Sequence, residues 1–188
     1  MPELFEMKYF EAVIGNKNRW TLAIQRKFQN GESVDIWAYS QGVPASMVPV
    51  PYFVDAVGDV VDFNPTAFGS IVVSRRMAEI VNNIAGNEIQ RIPAVVSGSA
   101  GQWEVLNITS VVDCIDYNKS LITQFPPNHP GKAGKPRGVL RLVVDGGRAK
   151  GHHIFLPKDW IVAVVVSEDL MKALDEAHMT GIEYWPVN

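Results

Sequence analysis

The sequence predicts an α+β fold with a mostly antiparallel sheet, chiefly because one segment occurs twice. Both copies begin with a β-branched run that ends in serine. They continue with the apolar spacing i, i+3, i+4 and i+7 of one helix face, and they end in a second apolar run that contains proline. The copies are residues 71–95 (IVVSRRMAEIVNNIAGNEIQRIPAV) and 164–187 (VVVSEDLMKALDEAHMTGIEYWPV). Alternating runs elsewhere indicate that strands dominate, with two capped helices in a repeated strand-helix-strand unit.

The ends of both predicted helices have recognisable signals. Ser74 and Ser167 stand where a hydroxyl can accept a hydrogen bond from a free amide of the first turn, so we expect both to be N-caps. Gly86 and Gly181 follow the helical spacing, and glycine readily adopts the left-handed conformation that ends many helices. We therefore expect a left-handed glycine at the end of each helix.

The N-terminal quarter predicts an antiparallel meander. Apolar and polar residues alternate in three short runs, which is typical of half-buried strands, and turn-forming sequences separate them at 15–18 and 29–32. The three runs are residues 5–9, 20–24 and 34–38. Three prolines then break the segment 41–53, which we expect to be an extended connection rather than a central strand.

The segment 53–63 (FVDAVGDVVDF) is ambiguous between a strand and a helix. On a helix, its aspartates Asp55, Asp59 and Asp62 would share one face, which is usually a solvated face. The next β-rich stretch, 102–116, is long enough to be a bent or bulged strand.

The second half contains a loop and a predicted hairpin. Residues 125–138 (FPPNHPGKAGKPRG) hold four prolines, three glycines and three cationic side chains, so we expect a mobile basic loop. Residues 139–145 and 152–156, joined by GGRAKG, predict a hairpin that leads into the second copy of the repeat.

Composition excludes several classes of protein. A length of 188 residues with 47% hydrophobic content fits one folded domain, and the net charge of −3 argues against a nucleic-acid-binding protein. The single cysteine, Cys114, lies in an apolar run and should be a buried, unreactive thiol. The N-terminus has no signal-peptide pattern, and no apolar run approaches the roughly 20 residues that span a bilayer. We therefore expect a cytoplasmic protein.

Motifs for catalysis or cofactors are missing. The loop GKAGKPRG lacks the spacing and the hydroxyl residue of a phosphate-binding loop, and the segment 96–101 (VSGSAG) is not a nucleophile elbow. His152 and His153 are adjacent, so on a strand they would point to opposite faces and could not easily share a metal. We expect no catalytic residue, cofactor or metal, and no enzymatic activity.

The chain resembles a bacterial toxin-immunity family, immunity family 11, over roughly residues 35–188. The resemblance depends on the segments IVVSRRMAEIV, IPAVV, WEVLNITSVVDCIDYNKS, HIFL and VVSEDLMKALDEAHMTGIEYWPV, in that order. The family often has arginine after the Ile-Phe pair, whereas here Leu156 and Pro157 follow. The resemblance divides the chain into an N-terminal β-rich subregion, 1–50, and an immunity-family core, 51–188, within one continuous domain.

The resemblance implies a stoichiometric inhibitor whose partner is a cognate toxin, encoded next to it and in some cases a nuclease. If that toxin is basic, acidic residues should face it; the candidates are Asp55, Asp59, Asp62, Asp113 and Asp116. The alternative is a small-ligand-binding or enzymatic domain that uses His152, His153 and the 125–138 loop as a lid over a pocket. A structural subunit of a larger assembly is the third possibility, and the oligomeric state stays open.

Overall fold

The computed structural model describes residues 7–188, which form thirteen strands and two helices, and it confirms the predicted α+β class. The strands are β1 (Tyr9–Ile14), β2 (Thr21–Ile24), β3 (Val50–Ala56), β4 (Phe63–Pro65), β5 (Ile71–Ser74), β6 (Ile89–Ser97), β7 (Trp103–Ile108), β8 (Val111–Val112), β9 (Leu121–Gln124), β10 (Pro136–Arg141), β11 (Ile154–Pro157), β12 (Val165–Ser167) and β13 (Ile182–Pro186). The helices are α1 (Arg75–Ala85) and α2 (Glu168–Glu176).

Two sheets enclose the main core. One has six strands in the order β2-β3-β6-β7-β5-β4, and the other has five in the order β13-β1-β12-β11-β8. Most pairs are antiparallel, as predicted; β3–β6 and β8–β11 are parallel. The apolar faces of α1 and α2 pack with side chains of both sheets in this core, and a further cluster lies on the outer face of each sheet.

The two copies of the repeat have the same topology. In each copy, the two strands of the strand-helix-strand unit flank a third strand that is antiparallel to both. This central strand is β7 in the first copy, between β5 and β6, and β1 in the second, between β12 and β13. The equivalence begins one strand earlier, at β4 and β11. The Ser74 amide donates to the carbonyl of Asp62, and the Ser167 amide donates to that of His153, each at 2.9 Å. Asp62 and His153 therefore occupy equivalent positions.

The predicted N-caps are confirmed, but the predicted helix ends are not. The hydroxyls of Ser74 and Ser167 accept hydrogen bonds from the amides of residues 77 and 170, at 3.3 and 3.2 Å. Gly86 is right-handed, with φ −59°; a side chain there would bring Cβ to 2.7 Å from a carbonyl oxygen of the preceding turn. Helix α2 ends at Glu176, and His178 rather than Gly181 is the first left-handed residue after it.

The predicted N-terminal meander is wrong. The strand proposed at 5–9 lies partly outside the described residues, and β1 runs from Tyr9 between β12 and β13, in a different sheet from β2. The 34–38 run forms turns instead of a strand, although Val34 and the nearby Tyr39 pack in the core. Alternation correctly indicated burial at Leu22 and Val34. Pairing did not follow from it, because β1 pairs with strands more than 150 residues away and β2 pairs with β3.

The prediction that 41–53 contains no central strand is also wrong, and the ambiguity of 53–63 is decided against a helix. Strand β3 is an interior strand although it contains Pro51, because the proline lies near its start, where its carbonyl accepts the Gln25 amide at the end of β2. The ambiguous segment 53–63 continues β3 and then becomes a loop leading to β4. It has no helix, so its aspartates do not share a helix face.

The later β-rich segments pair differently from the prediction. The 102–116 stretch does bend, but it is two strands, β7 and β8, which belong to different sheets. The predicted hairpin of 139–145 with 152–156 is wrong, because β10 pairs with β9 and β11 pairs with β12 and β8. Strands β9 and β10 form a two-stranded hairpin outside both sheets.

Candidate functional site

The buried side chain of Glu88 joins the two sheets. Glu88 immediately precedes β6, is 5% exposed, and accepts hydrogen bonds through Oε2 from the amides of His153 and Ile154, at 2.8 and 3.1 Å. Its Oε1 lies 2.7 Å from Nδ1 of His152, and the same nitrogen lies 3.1 Å from the hydroxyl of Ser110. A serine, a histidine and a glutamate therefore meet beside the start of β11.

The geometry of this cluster differs from that of a nucleophilic triad. A triad histidine uses one ring nitrogen to deprotonate the serine and the other to bond the carboxylate. Here the serine oxygen and the carboxylate both approach Nδ1 of His152, so a proton cannot pass through the ring from Ser110 towards Glu88. The carboxylate instead satisfies two backbone amides, which is the role of a structural junction.

His153 and Asp62 hold the two helix caps. The Nδ1 atom of His153 lies 2.8 Å from the Ser167 hydroxyl, and the Ser74 hydroxyl donates to Asp62 at 2.6 Å. Asp62 also accepts from the amide and hydroxyl of Thr180 at 2.9 and 2.8 Å. Partial burial acts to raise the pKa of Asp62, but these hydrogen bonds outweigh burial and lower it. Both side chains are thus engaged inside the fold.

A cavity lies between the two sheets rather than under the 125–138 loop. It has a volume of about 540 Å³ and a largely apolar lining from both sheets and from the segments 37–41 and 161–164. Exposed Ile14, Trp37 and Val162 border it. Neither histidine of the predicted hairpin and no residue of 125–138 contributes to its wall. The arrangement proposed for a small-ligand site, a lid with a histidine beneath it, is therefore not the arrangement of this cavity.

The five candidate aspartates differ in whether their carboxylates already have partners in the fold. Asp55 and Asp59 are exposed, and within residues 7–188 their carboxylates have no ion-pair or hydrogen-bond partner. Asp62 is engaged as described above. Asp113 is exposed but pairs with Lys158 at 3.0 Å. Asp116 accepts two backbone amides of its own turn, and these outweigh desolvation to lower its pKa.

The hairpin of β9 and β10 carries a concentration of positive charge that extends beyond the predicted 125–138 loop. Between Asp116 and Asp145 the chain has five Lys and Arg residues and no Asp or Glu. The rest of the chain keeps 12 of the 17 cationic residues and all 20 acidic ones, a net charge of −8. We call residues 119–141 the basic arm. Counting charges over this longer span, rather than over the loop alone, would have identified it from the sequence.

The described residues provide neither a metal site nor a reactive thiol. No group of three His, Cys, Asp or Glu residues in the described part of the chain could hold a metal ion. Burial is the main cause that raises the pKa of Cys114 to about 12, which keeps this thiol protonated and unreactive near neutral pH. Within residues 7–188, no helix has the length and apolar character that crossing a membrane requires.

Comparison with known protein families assigns most of the chain to one family model. The model of the Immunity protein family (Imm11) matches residues 45–188, which include all the strands and helices from β3 to β13. No curated protein matches the chain.

Proposed function

Because the chain belongs to the Immunity protein family (Imm11), we propose that it binds a cognate bacterial toxin as a stoichiometric, non-enzymatic inhibitor, in the cytoplasm of the cell that it protects. Family membership is the observation that carries this proposal. The geometry around His152 supports it, because the Ser110 hydroxyl and the Glu88 carboxylate converge on one ring nitrogen instead of forming a proton relay.

The direct test is co-expression with the product of the adjacent open reading frame. We expect the chain to protect cells from that product and to co-purify with it in a fixed ratio, measured by size-exclusion chromatography with light scattering. A complex of this kind should bury about 800 Å² on each partner. Growth arrest together with the absence of a complex would contradict the proposal for that toxin.

A second test separates binding from catalysis. If the chain acts by binding, Ser110→Ala should protect cells as well as the unchanged protein does, because the hydroxyl is not a nucleophile. If protection were enzymatic at this cluster, Ser110→Ala would abolish it while the complex persisted. Protection should also rise with the molar ratio of inhibitor to toxin and saturate at equivalence, whereas an enzyme would protect at a small fraction of that ratio.

Among the candidate aspartates, Asp55 and Asp59 are the ones whose carboxylates are free to meet a partner. We propose that they guide a basic toxin, such as a nuclease, into the complex. The variant Asp55→Lys, Asp59→Lys should slow association at low salt and approach the unchanged rate at high salt. Glu32→Lys, Glu176→Lys is the matched control, since both residues are exposed and the change in net charge is equal. Equal rates for the two variants would remove these aspartates from the interface.

A further inference from the structure

The basic arm has two structural irregularities that aim side chains at solvent. The β9–β10 pairing shifts register between Pro136 and Gly138 and again between Val139 and Arg141, so Arg137 and Leu140 are the inserted residues of two β-bulges. Bulges redirect side chains and are common next to binding sites. Arg137 is exposed, and Leu140 is 87% exposed. A cation and a large apolar side chain thus stand three positions apart on the free side of the arm.

The other side of the arm is fixed to the body of the protein. Ile122 and Val139 pack against the apolar cluster on the outer face of the five-stranded sheet. Within the arm, the guanidinium of Arg141 donates to the carbonyl of Lys119 at 2.7 Å and so links its two ends. Because the inner face is held by these contacts, the outward residues are presented on a supported hairpin. Leu121, 56% exposed, extends the apolar part of the outward surface.

Two cationic side chains of the arm have no partner of any kind among the described residues. Lys119 pairs with Asp116 at 3.4 Å, and the ammonium of Lys132 lies 5.3 Å from the centre of the Phe125 ring. Lys135 and Arg137, in contrast, form no ion pair and no side-chain hydrogen bond within residues 7–188. Lys135 immediately precedes β10, and Arg137 is the inserted residue of the first bulge in that strand. An anionic partner would therefore meet two free cations beside exposed leucines.

We infer that the basic arm is a docking surface for a carboxylate-rich patch on the toxin, with Lys135 and Arg137 binding the carboxylates and Leu140 buried between the partners. This inference rests on the proposed function. The complementary charge favours an acidic surface, because cations without a partner in the free protein gain one on binding. Arginine suits such a site because its planar fork bonds a carboxylate through two donors.

A protein fits the arm better than a nucleic acid does. A polyanion longer than the arm would also meet the remainder of the chain, whose net charge is −8, and like charges repel within the Debye length of about 8 Å. The exposed leucines add apolar surface, which phosphates do not use. The one aromatic ring of the arm, Phe125, already contacts His129 and Lys132, so it offers no free stacking platform.

The test compares the binding kinetics of three variants with those of the unchanged protein, using the toxin captured by co-expression. For Lys135→Glu, Arg137→Glu we expect an association rate constant at least about tenfold lower at low salt, with a smaller difference at high salt. The control Arg26→Glu, Lys27→Glu changes two exposed cations outside the arm and should stay within about twofold. Leu140→Ser should raise the dissociation rate about fivefold or more without changing the stability of the free protein.

The outcomes separate this inference from the proposed function. If the toxin binds both arm variants at unchanged rates, the basic arm is not a docking surface, and the inhibitor proposal stays intact. If no toxin is captured, ¹⁵N-labelled protein is titrated with hexaglutamate and, separately, with a six-nucleotide oligothymidylate. Shifts of the amides of 132–141 that are larger for hexaglutamate support the arm. Equal or larger shifts for the oligonucleotide, or none for hexaglutamate, would overturn it.

Discussion

Replacing Glu88 with alanine tests whether one buried carboxylate joins the two sheets. Glu88 lies at the start of β6 in the six-stranded sheet. Its carboxylate accepts hydrogen bonds from the amides of His153 and Ile154, at the start of β11 in the five-stranded sheet. The main-chain carbonyl of Glu88 also accepts the amides of Thr109 and Ser110, where the chain crosses between the sheets. The alanine variant keeps these backbone bonds and removes only the side-chain junction.

The expected loss of stability follows from the groups left without partners. An unsatisfied buried amide costs about 1–3 kcal/mol, and Glu88→Ala creates two of them. His153 is half-buried and Ile154 is buried, so water can partly replace the bond lost at His153, and we expect a total of about 2–5 kcal/mol. For a chain of this length, about 2–4 °C per kcal/mol converts this to a fall in Tm of roughly 4–20 °C.

The assay is urea unfolding followed by the fluorescence of the five tryptophans, with equal slopes required before midpoints are compared. Glu88→Gln is the informative partner variant: its amide oxygen can still accept both backbone donors, so it should lose less than about half as much stability. Glu176→Ala, at an exposed position, should stay within about 0.5 kcal/mol of the unchanged protein. If the free energy of unfolding of Glu88→Ala lies within about 1 kcal/mol of that of the unchanged protein, the Glu88 side chain does not join the sheets as argued.

Three further predictions concern stability. Asp62→Asn should lower stability at pH 7 and weaken the dependence of stability on pH in the acid range. The lowered pKa of Asp62 gives stability that is present above the ordinary aspartate pKa and is lost as pH falls through the folded-state value. Urea midpoints at pH 3 and pH 7 measure this difference. Ser74→Ala and Ser167→Ala should each cost about 1–2 kcal/mol in the same unfolding assay, since each hydroxyl caps a helix. Removing residues 1–14 deletes β1 and should abolish cooperative unfolding, measured by calorimetry.

Local signals predicted the parts of the fold that local interactions determine. The capped helices and the alternation around Leu22 depend on neighbours within a few residues, and both were predicted correctly. The pairing of β1 depends on Val165 and Trp185, whose distance along the chain leaves no mark in the N-terminal sequence. Alternation at 34–38 reported that Val34 is buried, but burial can be reached from a turn as well as from a strand.

The same distinction applies to the candidate site. Asp55, Asp59 and Asp62 were grouped by their spacing on a helix that does not form. Sequence spacing could not indicate that Asp62 accepts the hydroxyl of the N-cap Ser74, or that Asp113 pairs with Lys158. The composition of the basic arm was visible, whereas its bulges depend on the register of β9 against β10. Glu88 carried no sequence signal, because a glutamate before an apolar strand is ordinarily solvated.

The match to the immunity family begins at residue 45, yet the fold needs strands that precede it. In the first repeat unit, the strand between the two parallel strands is β7, which lies inside the matched segment. In the second unit the corresponding strand is β1, which lies outside it. Without β1, the facing edges of β12 and β13 would lose their ladder partners, and the buried residue Tyr9 would leave a space beside Phe155 in the outer core. The N-terminal residues therefore complete the second unit instead of forming an appendage, and a chain that starts at residue 45 should fail to build the sheet against which the basic arm packs.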